Sequence, residues 1–239
     1  MNFFDEYTHS YDMTVPEIYY KYYHSYRVMD NMVVLAKSMN LPTCDIELAK
    51  CIGLLHDIGR FEQHTRFKSF DDSNFDHGKY GEEILKEKDA LKHFDIKKTD
   101  YEVVYKAIRN HNKYQIEPNL TKRELLFTKM IRDADKLDII YAIGNSEIKS
   151  VIHEDDTKIR DKIKKQFFDN KQVIIDEKET KSENIVVMFS FIYDFNFNTS
   201  FIILKHKKYY QKIYQRLRHK ELFKPYIEHI INYIDERID

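Results

Sequence analysis

The chain is poor in the residues that interrupt helices. Its 239 residues include 5 glycines and 4 prolines. This scarcity favours long helices joined by short connections over a β-sandwich or barrel. We therefore predict an all-α fold, in a chain long enough to bury the core of one large domain or two small ones.

An excess of charge of either sign is also lacking. The 39 basic and 40 acidic side chains leave a formal charge of −1. Neither nucleic-acid nor membrane binding has a global electrostatic basis, so any phosphate recognition must be local. The longest apolar stretch, residues 185–193, is too short to span a bilayer, and a secretion signal is not apparent at the N-terminus. We expect a cytoplasmic protein without membrane contact.

Cysteine is scarce as well, with only Cys44 and Cys51. Their spacing along one predicted helix separates their Cα atoms by about 10 Å, which is too far for a disulfide. We predict two buried thiols in a reducing compartment.

One segment carries a candidate for chemistry: Gly53-Leu54-Leu55-His56-Asp57-Ile58-Gly59-Arg60. The apolar spacing before it predicts a buried helix that ends at Gly59, with the His-Asp pair in its last turn. An isolated His-Asp pair is usually structural. However, an aspartate at a helix C-terminus faces the negative end of the macrodipole and favours a nearby cation, and a metal ion would be one.

Three more histidines and one aspartate lie on apolar faces of predicted helices. The first helix is expected to run from a Thr14 capping box to Asn40, and another begins after an Asp76 N-cap. A further capping box, Thr121 with Glu124, opens the helix that carries the aspartate. Each histidine is structural if judged singly, whereas an unpaired inward carboxylate is costly. The inward residues are His24, His77, His111 and Asp135.

Together these side chains predict a metal site inside a helical bundle, because bundles build such sites from convergent imidazoles and carboxylates. The mixed nitrogen and oxygen set suits Mn, Fe, Co, Ni or Zn rather than Ca, with one or two ions per chain. Since no thiolate joins the set, a structural zinc site is disfavoured.

The ordered combination of His24, His56-Asp57 and Asp135 resembles the H…HD…D signature of the HD superfamily of metal-dependent phosphohydrolases. The resemblance covers roughly residues 20–145. It implies an all-α HD-domain bundle with those four side chains as metal ligands. We predict one HD-type domain over residues 1–239, with the metal-site core at about 14–145 and a C-terminal helical extension at about 146–239.

The resemblance also implies roles for two further histidines. His77 and His111 match the positions at which dinuclear members bind a second metal, and in that subgroup the aspartate equivalent to Asp57 bridges both ions. The sequence after His111 lacks the second histidine and Gly-Tyr-Pro of cyclic di-GMP phosphodiesterases. The sequence after Asp57 lacks the acidic pair of alarmone hydrolases. Neither specialised assignment is favoured.

The predicted function is hydrolysis of a phosphate ester or anhydride by metal-activated water, with Asp57 as the catalytic metal ligand. The resemblance implies a small phosphorylated substrate, and specifically a nucleotide. Nearby cations are candidates to bind its phosphates, although a surface ion pair is an equally good interpretation of each. These candidates are Arg60, Arg66, Lys113 and Lys136.

The connection at residues 61–75 is expected to be a loop covering the substrate, with Arg66 as its phosphate-binding cation. Two other functions stay open on the sequence alone. An HD-fold di-iron oxygenase would use the same six ligands, and a nucleotide-binding module would keep the site without catalysis. A homo-oligomer is also possible.

Overall fold

A computed structural model of the protein describes residues 3–73, 75–147, 157–174 and 178–238. The fold is all-α, as predicted: throughout those ranges the regular structure is helical, without a β-strand. The chain forms two compact units, Met1–Asp135 and Lys136–Asp239. The predicted single domain over residues 1–239 remains a prediction. None of the described helices has the length and apolarity needed to cross a membrane.

The first unit contains α1 to α6 and most of α7, which continues into the second unit. Short 3₁₀ turns at Ala90–His93 and Lys98–Asp100 lie between α5 and α6. The helices are α1 Phe3–Thr8, α2 Pro16–Ser38, α3 Thr43–Leu55, α4 Ile58–Phe67, α5 His77–Glu87, α6 Tyr101–Asn110 and α7 Lys122–Gly144.

The centre of the first unit is the packing of α2 against α3. Val28 and Met32 on α2, and Leu48 and Ile52 on α3, are completely buried. The two backbones approach closely at Gly53, where a Cβ atom would lie 2.7 Å from the Cα of Met29. A side chain there would push the helices apart.

Two of the three predicted helix caps are confirmed. The backbone N–H of Thr121 donates to the Glu124 carboxylate at 2.7 Å, and the N–H of Glu124 donates to the Thr121 hydroxyl at 3.2 Å. Asp76 accepts from the N–H of Lys79. The Thr14 cap is wrong: Val15 is the N-cap of α2, and the Thr14 hydroxyl donates to Asp12 instead.

The predicted helix through Gly59 is also wrong. α3 ends at Leu55 and α4 begins at Ile58, so that His56 and Asp57 form a two-residue junction. Gly59 does not adopt the left-handed conformation of a helix terminator and lies in the first turn of α4. The predicted loop at 61–75 is wrong in its first half, because α4 continues to Phe67.

The expectation of two buried thiols holds for only one cysteine. Both are free, and Cys51 is buried in α3, where burial raises the pKa of its thiol. Cys44 is exposed, because it lies in the first turn of that helix on the side away from the core.

The second unit has its own apolar core, formed by residues such as Ile163, Phe167, Phe189, Phe223 and Ile230. A 3₁₀ turn at Ser190–Asp194 follows α9. The remaining helices are α8 Asp161–Phe168, α9 Lys181–Phe189, α10 Asn198–Lys207, α11 Tyr209–Arg216 and α12 Lys220–Ile238.

A buried ion pair joins the start of α8 to α9 in this unit. The Glu183 carboxylate, with 0% exposure, accepts from Arg160 Nε and Nη2 at 2.7 Å each. It also accepts from the backbone N–H groups of Arg160 and Glu179. Burial alone would raise the pKa of Glu183, but these hydrogen bonds lower it to about 2. The carboxylate is therefore strongly stabilised in its ionised form.

We expect Glu183→Gln to lower the free energy of unfolding at neutral pH by on the order of 3 kcal/mol. The stabilisation by Glu183 is present above its ordinary pKa of 4.5 and is lost as pH falls through about 2. The difference between wild type and variant should therefore shrink near pH 2, as measured by denaturant unfolding of the full chain.

Glu179→Gln is the matched control, because this carboxylate pairs with the same Arg160 but is 68% exposed. Its loss should change stability by less than about 1 kcal/mol. A Glu183→Gln difference that is equally large in acid and at neutral pH would contradict the prediction.

Candidate metal centre

The junction between α3 and α4 explains how two adjacent side chains reach the same point. His56 follows the last residue of α3, and Asp57 occupies the N-cap position of α4. Both are buried, with exposures of 0% and 2%. Because the helix is interrupted here, Asp57 lies at the positive end of α4's macrodipole, where a carboxylate is stabilised. A helix continuing to Gly59, as predicted from the sequence, would place it at the opposite, unfavourable end.

Three side chains from α2, the junction and α7 form a first group. His24 Nε2 lies 3.2 Å from His56 Nε2 and 3.1 Å from Asp135 Oδ1. The third side of the triangle, His56 Nε2 to Asp135 Oδ1, measures 3.7 Å. These three ligand atoms could hold one metal ion.

A second group comes from α5 and the end of α6. His77 is the first residue of α5, and His111 is the C-cap residue of α6. Their Nε2 atoms lie 3.0 Å apart. Both side chains are 1% exposed.

The carboxylate of Asp57 connects the two groups, with one oxygen toward each. Its Oδ2 lies 3.3 Å from His24 Nε2 and 3.4 Å from His56 Nε2. Its Oδ1 lies 3.3 Å from His77 Nε2 and 3.4 Å from His111 Nε2. The structure thus brings all six predicted ligands together in the first unit, around a single buried carboxylate.

In three of the histidines, the hydrogen bond made by Nδ1 determines whether Nε2, which faces the centre, is free to bind a metal ion. The Nδ1 atoms of His56 and His111 donate to the carbonyl oxygens of Gly53 and Ile108, at 2.8 and 2.6 Å. That of His77 lies 2.7 Å from Asp72 Oδ1. With Nδ1 protonated, a neutral imidazole presents the Nε2 lone pair to the centre. The lone pairs of His77 and His111 then face each other and require a cation.

The spacing of these atoms also suits a metal. Two nitrogens bound to one ion at about 2.1 Å lie roughly 3.0 to 3.4 Å apart at octahedral and tetrahedral angles. The Nε2 atoms of each histidine pair are separated by 3.2 and 3.0 Å. The donor set and its geometry therefore fit divalent transition-metal ions.

The protein holds the acidic members of the site ionised despite their burial. Burial would raise the pKa of Asp57, but the charges of Lys21 and His56 and hydrogen bonds from other histidines hold it well below its usual range. Asp135 behaves similarly, with His24 and His56 as the main causes. Ionised carboxylates are the form that binds metals.

The pKa values of His111 and His56 are shifted in opposite directions. Burial lowers the pKa of His111 to about 4, so this imidazole is neutral and able to bind a metal near pH 7. Burial also acts on His56, but the carboxylates of Asp57 and Asp135 outweigh it and raise the pKa. Protons and metal ions therefore compete for His56.

Four predicted phosphate-binding cations have other partners. Arg60 lies beside the site, with Nε 3.7 Å from Asp57 Oδ1, and its Nη atoms bind Asp72. Arg66 is not brought to the cluster: its exposed guanidinium pairs with Glu62 and stacks on Tyr80. Lys113 pairs with Asp76, and Lys136 pairs with Asp194 in the second unit.

Two residues that the sequence reasoning missed contact the candidate ligands. Lys21 donates to Asp57 Oδ2 at 2.5 Å, and Asp72 accepts from His77. Burial alone would raise the pKa of Asp72. The contacts with His77 and Arg60 outweigh burial and lower this pKa to about 2. The spacing of Lys21 three residues before His24 on one helix face was a usable signal.

The comparison with protein families finds a match to the HD domain at residues 22–140. Comparisons with curated proteins and with solved structures find no significant match. The matched range contains all six clustered side chains. The class of protein is therefore that of an all-α domain with a His/Asp cluster that could hold metal ions.

The chain belongs to the HD superfamily, as its sequence resemblance predicted. Most members of this family are metal-dependent phosphohydrolases.

Gly59→Ala tests how the centre is assembled. A Cβ atom there would lie 2.3 Å from the backbone oxygen of His77, so the starts of α4 and α5 would have to separate. We expect a loss of about 1–3 kcal/mol in unfolding free energy. Because His77 would move away from Asp57, the number of bound ions measured by elemental analysis should also fall.

Gly81→Ala is the matched control, since the nearest atoms to its Cβ would be side-chain methyl groups at 3.3 and 3.4 Å, with the backbone nitrogen of Gly59 at an ordinary contact distance of 3.7 Å. It should retain the wild-type metal content. Unchanged metal content and stability in Gly59→Ala would show that this close approach does not position His77.

Proposed function

We propose that this protein is a metal-dependent phosphohydrolase that cleaves a phosphate ester or anhydride of a small phosphorylated substrate, a nucleotide, using one or two divalent transition-metal ions. The main support is the arrangement of Asp57, whose two oxygens each face a pair of histidine Nε2 atoms. A carboxylate in this position can bridge two ions. HD-family membership supports the same class of reaction.

The ligands have separate tasks in this proposal. His24, His56 and Asp135 would hold one ion, and His77 and His111 the other, with Asp57 between them. Bound divalent ions lower the pKa of a water molecule toward neutrality and stabilise charge that develops on the phosphoryl group. The carbonyls of Gly53 and Ile108 fix the orientation of two imidazoles, so that little reorganisation is needed on binding.

The charge of the centre favours an anionic substrate. Two carboxylates with two divalent ions would leave a net charge of roughly +2 in a buried site. Among the four predicted phosphate-binding cations, Arg60 lies beside the site, and it is the one that we propose to contact the substrate's phosphate. The choice of a nucleotide rests on the family resemblance.

Metal analysis followed by a phosphoester and nucleotide screen tests the proposal. The purified protein would be loaded in turn with Mn, Fe, Co and Ni and assayed anaerobically and in air. Anaerobic phosphate release is the expected result. Iron-loaded protein that turns over only with oxygen would instead support the di-iron oxygenase, and metal-loaded protein inert to the whole panel would support a binding module.

Asp57→Ala should abolish both metal retention and activity, because it removes the one ligand common to both groups. Elemental analysis of the folded variant measures the first effect, and the phosphate-release assay the second. Glu47→Ala, which removes a carboxylate from a surface pair with Lys50, should leave both unchanged. Full metal content in folded Asp57→Ala protein would rule out the proposed site.

His111→Ala should reduce the metal content of saturated protein from two ions per chain toward one. The first group does not include His111, so it should still bind its ion. His93→Ala, at an exposed position, is the control. If saturated wild-type protein holds a single ion, His77 and His111 have a role other than binding a second metal.

A further inference from the structure

Lys21 forms a short ion pair with Asp57, which is itself a candidate metal ligand. It lies on α2, with a side chain only 11% exposed, and its Nζ donates to Asp57 Oδ2 at 2.5 Å. An ammonium group has three N–H donors. Among the described residues, Asp57 supplies its hydrogen-bond acceptor, and the rings of Tyr20 and Phe70 lie 5.9 and 5.4 Å away. A buried ammonium with donors to spare is suited to bind a further anion.

Arg60 and Lys113 make their short contacts with carboxylates outside the ligand set, although Arg60 Nε also lies 3.7 Å from Asp57 Oδ1. Arg60 binds Asp72 through both Nη atoms and also donates to Gln63 and to the carbonyl of Phe70. Lys113 pairs with Asp76. Binding of metal ions to Asp57 would leave the pairs with Asp72 and Asp76 intact, but a metal ion on Oδ2 would compete with Lys21 for that oxygen.

A divalent ion on Asp57 would also place a second positive charge close to the ammonium. Like charges a few ångströms apart in a poorly solvated site repel each other more strongly than they would in water. An anion located between the ion and Nζ removes this repulsion and satisfies the remaining donors. The substrate of a phosphohydrolase carries such an anion, since its phosphoryl oxygens are charged acceptors.

We propose that Lys21 is a substrate-binding residue, whose ammonium binds a non-bridging oxygen of the phosphoryl group next to the metal ions. The inference rests on the proposed function and adds a residue to it. Phe70, in the segment between α4 and α5, lies with its ring 5.4 Å from Nζ and 5.5 Å from the Arg60 guanidinium. It shields the ammonium from water and so strengthens its interaction with the phosphate.

The alternative role for Lys21 is to neutralise Asp57 while metal is absent. The two roles differ in the metal-loaded protein. A neutralising lysine becomes dispensable once the ions are bound, whereas a substrate-binding lysine becomes important at that point. Phosphate affinity of the loaded protein therefore separates them.

The experiment compares wild type, Lys21→Met and Lys21→Arg, all purified in Mn²⁺ because metal-free Lys21→Met would leave Asp57 without its ammonium partner. Manganese content is measured by elemental analysis, and inorganic phosphate is titrated into the loaded proteins by calorimetry. Lys50→Met is the matched control, since it removes a lysine that pairs with Glu47 on the surface.

We expect Lys21→Met to keep the wild-type manganese content and to bind inorganic phosphate about ten- to a hundredfold more weakly, as for the loss of a charge-assisted hydrogen bond. Lys21→Arg retains the positive charge, so its phosphate affinity should lie between those of wild type and Lys21→Met. Lys50→Met should bind phosphate like wild type.

Two results would overturn the role of Lys21 alone. One is wild-type phosphate affinity in manganese-loaded Lys21→Met, and the other is loss of manganese from that variant, which would make Lys21 part of the metal-holding structure. A loaded wild-type protein that neither binds phosphate nor hydrolyses any phosphoester would overturn the proposed function itself, and this inference with it.

Discussion

The first unit depends on one buried carboxylate. Asp57 is 2% exposed, and burying an ionised carboxylate without partners costs several kcal/mol. Lys21, four histidine nitrogens and the N-terminus of α4 all act on it from different directions. Of the helices that contribute to the site, α3 to α6 each begin or end beside this carboxylate, whereas α2 contributes Lys21 and His24 from its interior. Helix packing and ligand geometry are two consequences of the same electrostatic requirement.

The break between α3 and α4 is how the backbone meets that requirement. A continuous helix would point the side chains of His56 and Asp57 about 100° apart and would put the carboxylate at a helix C-terminus. Because α3 ends at Leu55, both side chains can point toward the centre. Asp57 then lies at the N-terminus of α4, where a carboxylate is stabilised. Gly59 then allows the start of α5 to approach, which brings His77 to the opposite oxygen.

The sequence predicted the inward histidines well and the junction badly, for a physical reason. Helical periodicity is local, so spacing alone placed His24 and Asp135 on the buried side of their helices. The same periodicity continues through Ile58 and Phe61, both completely buried, and hides the break. Asp72 reaches His77 only through the course of the segment between α4 and α5, which no periodicity specifies.

The near-equality of 39 basic and 40 acidic residues bears on which cations can act on a substrate. In a balanced chain, most lysines and arginines near a site find a carboxylate neighbour, and proximity in sequence to the His-Asp pair is weak evidence of function. Arg66 and Lys113 are examples, paired with Glu62 and Asp76. A cation remains available to a substrate if its partner has another task. Of the cations considered at this site, Lys21 meets that condition, because metal ions and the ammonium compete for the same oxygen of Asp57.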